Sequence, residues 1–192
     1  KPIKFIGNKD GVSSLQFSAD GETLFFKSKR EDDKVTSLYS ISMSGGEAIK
    51  RFEFETSIGD YAVSEDGSTL YFVAREKQKE DDLKKKGFKA YVYEEDQRLA
   101  SLWSVALGDS EAKATKLFEG GNVSNFDLSQ DNKMIVAAVA PTNLIDDYYM
   151  QRDLHVIDVN SGDVTATVDI PGKLGSFEFS ENGKHIGLLA GT

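Results

Sequence analysis

The apolar residues of this chain fall in short runs separated by clusters of Gly, Asp, Asn and Ser. In the first such pair of runs, Leu15 and Phe17 share one face of one strand, and Leu24 and Phe26 share one face of the next. Alternation with a period of two predicts a β-strand, whereas a helix repeats every 3.6 residues. The pattern continues to the end of the chain, so we expect an all-β protein.

One strand–turn–strand unit is written four times, around Ser18, Ser64, Ser129 and Ser180. An apolar residue and this Ser are followed by any residue, then Asp or Asn, then Gly or Asn. Asp and Asn bond their own backbone in turns, and Gly or Asn accepts positive φ. We therefore expect tight hairpins of the type I turn plus Gly-bulge kind. The predicted turn residues are Asp20, Gly21, Asp66, Gly67, Asp131, Asn132, Asn182 and Gly183.

The repeats have the length of four-stranded units. Their periods are 46 residues (Ser18 to Ser64), 65 (Ser64 to Ser129) and 51 (Ser129 to Ser180). Two further strands follow each of the first three hairpins, and four strands in about 45 residues is the signature of a β-propeller blade. We predict a partial β-propeller with three full antiparallel blades plus end strands. The units lie near 12–54, 58–118, 123–170 and 174–192, and one more strand is expected at 3–6.

Two other architectures fit the pattern less well. A β-sandwich of short strands would not repeat the Ser-x-Asp-Gly turn once per unit. The second strand of each unit, best seen at 136–140, is almost continuously apolar, which indicates a sheet covered on both faces. The chain could close as a distorted four-bladed ring, but we prefer a section of a larger ring. Such a section exposes blade edges, which favour self-association.

The longer periods place insertions at 76–98 and 141–152, between the second and third strands of their units. Strand alternation puts both insertions on one face of the ring and the Asp-Gly turns on the other. Helix-forming residues from Glu76 to Lys86 predict a short helix that ends at Gly87. Alternating residues 88–93 predict an extra strand, and Tyr148 and Tyr149 lie in the second insertion.

Charge and composition narrow the range of partners. The net charge of −9 argues against nucleic acid, which requires a positive patch. The chain has no Cys, so it has no disulfide, thiol nucleophile or Cys-based zinc site. No apolar run approaches the roughly 18 residues of a membrane span, and no signal peptide is visible. These features fit the cytoplasm or the periplasm, with no membrane partner.

The common sequence motifs of catalytic sites are absent from this sequence. No Gly-x-Ser-x-Gly elbow, phosphate loop or dinucleotide fingerprint occurs. His155 and His185 fall in apolar strand patterns and are expected to be structural. The Asp146-Asp147 pair, expected in a loop, is a weak calcium signal. We therefore predict no catalytic residue, metal or cofactor, and a propeller enzyme with carboxylates in its channel is disfavoured for the same reason.

The repeated Phe-Ser-x-Asp-Gly-x-x-Leu-x-Phe hairpin resembles the repeats of TolB-type (PD40) propellers. The third strands support this, reading Leu-Trp-Ser-Val at 102–105 and Leu-His-Val-Ile-Asp-Val at 154–159. The stretch 86–91, continued through Arg98 to Leu102-Trp103, is more specific. It resembles the amino-terminal propeller of the prolyl oligopeptidase family of serine peptidases, in particular that of the acylaminoacyl-peptidase and dipeptidyl-peptidase types.

That resemblance implies a non-catalytic role. The propeller would gate and orient short peptides for an α/β-hydrolase domain of the same parent chain, and that domain would carry the catalytic triad. The insertion side of the ring is then the expected contact with substrate or hydrolase domain, through Tyr91, Tyr93 and Arg98. The alternative is a stand-alone TolB-like propeller that acts as a protein–protein interaction module.

Overall fold

The computed structural model describes residues 11–30, 32–77, 87 and 98–191. The strands expected at 3–6 and 88–93, and most of the helix expected before Gly87, lie outside these ranges. All further structural statements concern the described residues.

The described chain forms fourteen strands in four antiparallel sheets, each ordered as in the sequence. Sheet 1 contains β1 (Val12–Phe17), β2 (Thr23–Ser28), β3 (Ser37–Ser42) and β4 (Ile49–Phe52). Sheet 2 contains β5 (Tyr61–Val63), β6 (Thr69–Arg75), β7 (Ala100–Ala106) and β8 (Thr115–Phe118). Sheet 3 contains β9 (Asn122–Leu128), β10 (Met134–Ala140), β11 (Asp153–Asp158) and β12 (Val164–Val168). Sheet 4 contains β13 (Lys173–Phe179) and β14 (Ile186–Gly191).

The sheets stack face to face, and apolar residues fill the space between neighbours. In β10, Ile135, Ala137 and Val139 pack with residues of sheet 2, whereas Val136 and Ala138 pack with residues of sheet 4. All five are at most 4% exposed. The expectation that this strand is covered on both faces is confirmed, because its alternate residues enter two different cores.

The first strands of neighbouring sheets contact one another. β1 contacts β5, β5 contacts β9, and β9 contacts β13. We call these four the inner strands. The hairpin turns lie at one end of the sheets, which we call the turn side. The connections β6–β7 and β10–β11 leave from the opposite end, the insertion side, because successive strands run antiparallel.

The hairpin turns are organised by the repeated Ser. In sheet 2 the Ser64 hydroxyl donates to Asp66 Oδ1 at 2.6 Å and accepts from the Thr69 N–H at 2.9 Å. Asp66 also accepts from the Ser68 N–H at 3.0 Å, and these hydrogen bonds lower the pKa of Asp66 to about 2. Gly67 follows with φ +71°. The other three turns repeat this positive φ at Gly21 (71°), Asn132 (57°) and Gly183 (67°).

The second insertion contains a short helix, α1 (Ile145–Met150), that the sequence reading did not predict. Asp146 and Asp147 occupy its first turn, where the positive end of the helix dipole favours carboxylates. Asp147 also accepts a hydrogen bond from the Thr142 hydroxyl. The expectation of a loop at this carboxylate pair was therefore wrong. The apolar periodicity of six residues was too short to reveal a helix.

Polar side chains on the inner strands fasten each sheet to the next. The amide of Gln16 on β1 makes two bonds to Val63 on β5: it donates to the carbonyl at 3.0 Å and accepts from the N–H at 2.9 Å. Asp60, just before β5, accepts from the Phe126 N–H on β9 at 3.0 Å. Asp127 on β9 accepts from the Phe179 N–H on β13 at 2.7 Å. Each junction therefore pairs a side-chain acceptor with a backbone amide of the following sheet.

The turn geometry predicts the effect of replacing Gly67. Gly67→Val forces a β-branched side chain to positive φ, and we expect unfolding free energy to fall by about 1 kcal/mol or more. Gly11→Val is the matched control, because Gly11 has open space around it and no positive φ. Urea unfolding of both variants measures the difference. An unchanged midpoint for Gly67→Val would contradict the turn assignment.

The inter-sheet bonds predict a local effect at Asp127. Asp127→Ala leaves the Phe179 N–H without its acceptor, which we expect to cost about 1–2 kcal/mol. Amide hydrogen exchange should show the largest loss of protection in β13 and β14. Asp127→Asn keeps an acceptor oxygen and should cost less. The exposed Asp163→Ala is the control, since its carboxylate has no hydrogen bond among the described residues. Equal loss of protection in all four sheets would contradict a local role.

Candidate functional site

The inner strands of sheets 1–3 border a groove of about 560 Å³. Leu15, Gln16, Tyr61, Val63, Phe126 and Asp127 are among its lining residues. The turn residues Ser64, Ser129 and Asn132 close one end. The groove therefore combines aromatic and aliphatic surface with hydrogen-bonding groups, a composition typical of binding sites.

Several groups in and beside this groove are partly removed from water. The Tyr61 hydroxyl donates to the Ser14 carbonyl at 2.6 Å, and burial raises the pKa of Tyr61. Burial also raises the pKa of Asp60, against the opposing effect of its bond from the Phe126 N–H. Lys27 donates to the Gly59 carbonyl, and burial lowers its pKa, while the nearby Asp60 charge raises it. These groups brace three sheets, so the groove is preorganised.

Backbone groups of the inner strands also face the groove. The Ser18 N–H donates to the Thr23 carbonyl across the first hairpin at 2.8 Å. Since antiparallel strands alternate the side on which their N–H groups point, the neighbouring Phe17 N–H points away from β2. The equivalent N–H groups of β5 and β13, at Val63 and Phe179, donate to side-chain oxygens of Gln16 and Asp127 in the preceding sheets. Such edges can bond an extended chain.

The two histidines of the described chain lie at the third and fourth sheets. His155 lies in β11, and its ring packs edge-on against Phe118 with centroids 5.7 Å apart. Its buried Nδ1 has no hydrogen-bond partner, and burial lowers the pKa of His155 below 6.5. Among the described residues, no serine hydroxyl bonds either imidazole, and no group of three His, Asp or Glu side chains could hold a metal ion.

The two histidines do not share one environment, contrary to the sequence expectation. His155 is half-buried within its strand, whereas His185 is exposed and precedes β14 by one residue. The prediction that His185 belongs to an apolar strand was wrong. Its backbone N–H instead closes the last turn by donating to the Ser180 hydroxyl oxygen at 3.0 Å.

The predicted contact residues are only partly placed. Arg98 lies on the insertion side, where its Nη1 donates to the Glu76 carbonyl at 3.1 Å. Tyr91 and Tyr93 lie outside the described residues. Their role, like that of Arg98, remains a prediction.

The sequence reading missed Arg152, which is 8% exposed at the end of the second insertion. Its guanidinium donates to the Leu174 carbonyl on β13 and stacks 4.4 Å from the centroid of the Tyr148 ring on α1. Longer contacts of 3.4 and 3.5 Å reach Ser124 and Asn125 on β9. Arg152 thus ties the helix to sheets 3 and 4. A cation in a polar insertion gives no signal of burial in one sequence.

Packing by Arg152 leaves the outer surface of α1 apolar and open to solvent. Ile145 is 62% exposed, Tyr149 52% and Met150 49%. No residue of the helix is buried. Exposed apolar clusters of this kind mark interaction surfaces more often than scattered single residues do.

No profile of a known protein family matches the sequence, and no curated protein matches it. Several solved structures are similar. A TolB protein from Agrobacterium tumefaciens is 19% identical with a TM-score of 0.59, over 86% of this chain and 52% of that one. A gluconolactonase from Xanthomonas campestris is 12% identical with a TM-score of 0.61, over 98% of this chain and 58% of that one.

A prolyl endopeptidase is also similar, at 15% identity and a TM-score of 0.55, over 93% of this chain and 26% of that one. This chain therefore spans between about a quarter and three fifths of the length of the structures it matches. Among the described residues, no helix has both the length and the apolar character needed to cross a membrane. At these identities the likeness establishes the fold, and it confirms the all-β prediction: the chain is a β-propeller section of antiparallel blades.

Proposed function

We propose that this chain is the non-catalytic propeller portion of a serine exopeptidase. Its role is to gate and orient short peptides for a separate α/β-hydrolase domain. The repeats and the insertion around Arg98 resemble those of such peptidases, and a prolyl endopeptidase is among the similar structures. The lack of a Ser–His pair in the described residues is compatible with this division of labour.

The groove along the inner strands is the observation that carries the proposal. A peptide without folded structure can lie along the inner-strand edges and bond backbone groups there. The exposed apolar side chains of Leu15 and Phe17, which line the groove, offer contacts for its side chains. A folded domain is too wide for a groove of about 560 Å³, so admission would depend on the substrate being short or unfolded.

On this proposal, the insertion side contacts the hydrolase domain. The exposed apolar surface of α1, formed by Ile145, Tyr149 and Met150, is one candidate contact. The first insertion leaves from the same side, and it contributes the predicted contacts Tyr91, Tyr93 and Arg98. Two insertions on one side would together make a broader docking surface than either alone.

A stand-alone TolB-like interaction module is the second candidate. The likeness to a TolB protein favours it, at a TM-score comparable with that of the peptidase. In this case the groove or the α1 surface binds a partner protein, and no hydrolase is attached. The two candidates differ in whether a hydrolase domain is attached to this chain. A probe that reacts with an activated serine can detect such a domain.

Peptide binding tests the groove. We expect fluorescent peptides of about five to eight residues to bind the chain, as measured by anisotropy. Leu15→Arg places a long charged side chain in the groove at a residue that is 65% exposed, so folding should survive while binding weakens about tenfold or more. Val164→Arg on the outer strand β12 is the control and should bind as the unchanged chain does. Equal binding by both variants would exclude the groove as the site.

A fluorophosphonate probe separates the two candidates. It labels an activated serine, so the protein that contains this chain in its native cells should be labelled if a hydrolase domain is attached. An antibody to this chain would isolate that protein, and its mass would be measured alongside labelling. A labelled protein several hundred residues longer supports the peptidase. An unlabelled protein of about this size would refute it in favour of the binding module.

A further inference from the structure

A second cavity lies beside the groove, between sheets 1 and 2 on the turn side. Its volume is about 670 Å³, and the structure describes every residue that lines it. The lining comes from the first two hairpin turns, from the turn between β3 and β4, and from strands β2, β3 and β4. Ser18, Ala19 and Glu65 line both cavities, so the two are adjacent. A side chain of a peptide that lies in the groove can therefore reach the second cavity.

One wall of this cavity is apolar. Phe25 on β2 pairs with Ser40 on β3, which pairs with Ile49 on β4. Directly paired residues of neighbouring strands share one face, and Phe25 belongs to the core between sheets 1 and 2, so all three face sheet 2. Phe25 is 4% exposed, whereas Ile49 is 60% exposed. The wall therefore runs from the core out to solvent, and Ile49 offers apolar surface to a ligand.

The next junction is closed at the corresponding place. Arg51 in β4 and Leu117 in β8 are the residues at the register shift of their strands. In sheet 2, Leu117 lies against the β11–β12 turn of sheet 3, where a Cβ added to Gly162 would collide with the Leu117 carbonyl oxygen. In sheet 1, Arg51 lines the cavity, and no residue of the β7–β8 connection at 107–114 does so. The cavity thus occupies a place that the neighbouring sheet fills in the next junction.

The charged residues around the cavity are mostly acidic. Asp20, Glu47, Glu65 and Asp66 line it, against one cation, Arg51. Hydrogen bonds from the repeated Ser hydroxyls lower the pKa of Asp20 and of Asp66, so both carboxylates stay ionised near neutral pH. Neither the Glu47 carboxylate nor the Arg51 guanidinium has a hydrogen bond or an ion pair among the described residues. Four carboxylates against one guanidinium favour a cationic ligand.

We propose that this cavity is a subsite for a basic side chain, lysine or arginine, of a peptide bound in the groove. The methylene stem of such a side chain packs along the exposed Ile49, and its charged end lies among the carboxylates. A neutral side chain of the same shape gains less, because it lacks the attraction to these carboxylates. The inference rests on the proposed function, since it names the class of peptide that the groove takes.

Two sets of fluorescent peptides of about six residues test the subsite by anisotropy with this chain. One set carries arginine at each position in turn, and the other carries citrulline, which has the shape of arginine without its charge. We expect one position at which the arginine peptide binds about fivefold more tightly, with a difference that shrinks as salt is added. Equal binding of the two sets at every position would overturn the subsite and leave the groove intact.

Variants of the cavity's own charges test the sign of the ligand. Glu47→Gln should weaken binding of the arginine peptide about threefold, and Arg51→Gln should strengthen it by a similar factor, because Arg51 repels a cation. Both residues are exposed, and they line the second cavity and not the groove, so folding should survive. Glu111→Gln removes an exposed carboxylate that lines neither cavity and is the control. Reversed signs would mean an anionic ligand and would overturn the proposal.

Nuclear magnetic resonance separates the subsite from the proposed function. The amide signals of Gly45, Gly46 and Gly67 report on the cavity lining, and N-acetylarginine amide is titrated against them with N-acetylcitrulline amide as the control. Shifts with the arginine compound in a chain that binds no peptide would support the subsite while refuting the groove. The absence of these shifts would overturn the subsite, even where peptides bind in the groove.

Discussion

The structure depends on the fact that its sheets are apolar on both faces. A sheet with one apolar face can be satisfied by a single partner, but β10 sends Ile135 into one core and Val136 into another. Such a sheet must be covered twice. Stacking is the arrangement that covers every inner sheet with the same kind of neighbour, and the ends of any incomplete stack then have one uncovered face.

Apolar packing alone does not set the register between stacked sheets, because it is non-directional. The inner-strand hydrogen bonds supply direction. Gln16 and Asp127 hold the same position in their units and reach the same amide of the following unit. In sheet 2 that position is Ala62, and Asp60 takes over the bond two residues earlier, to Phe126. Because side chains two apart lie on one face of a strand, the displaced acceptor still points toward sheet 3.

The sequence was informative where one residue type is required by geometry. The turns need positive φ, and three of them have Gly at that position: Gly21, Gly67 and Gly183. The four similar turns revealed the repeat and hence the blades. The apolar second strands likewise disclosed coverage on both faces. The groove was harder to predict from the sequence, because residues from three different units come together to form it. Arg152 and α1 were missed since nothing local distinguishes a buried Arg from a solvated one.

The polar position on the inner strand was visible in the sequence, but its meaning was not. Gln16, Asp127 and Glu178 have different side chains, and in one sequence they look like ordinary surface residues. What they share is an oxygen acceptor at one point of the repeat, which becomes meaningful only when an amide is seen opposite it. In a repeat protein, the contacts of one junction therefore explain the matching residue of another, as the bond from Val63 to Gln16 explains the bond from Phe179 to Asp127.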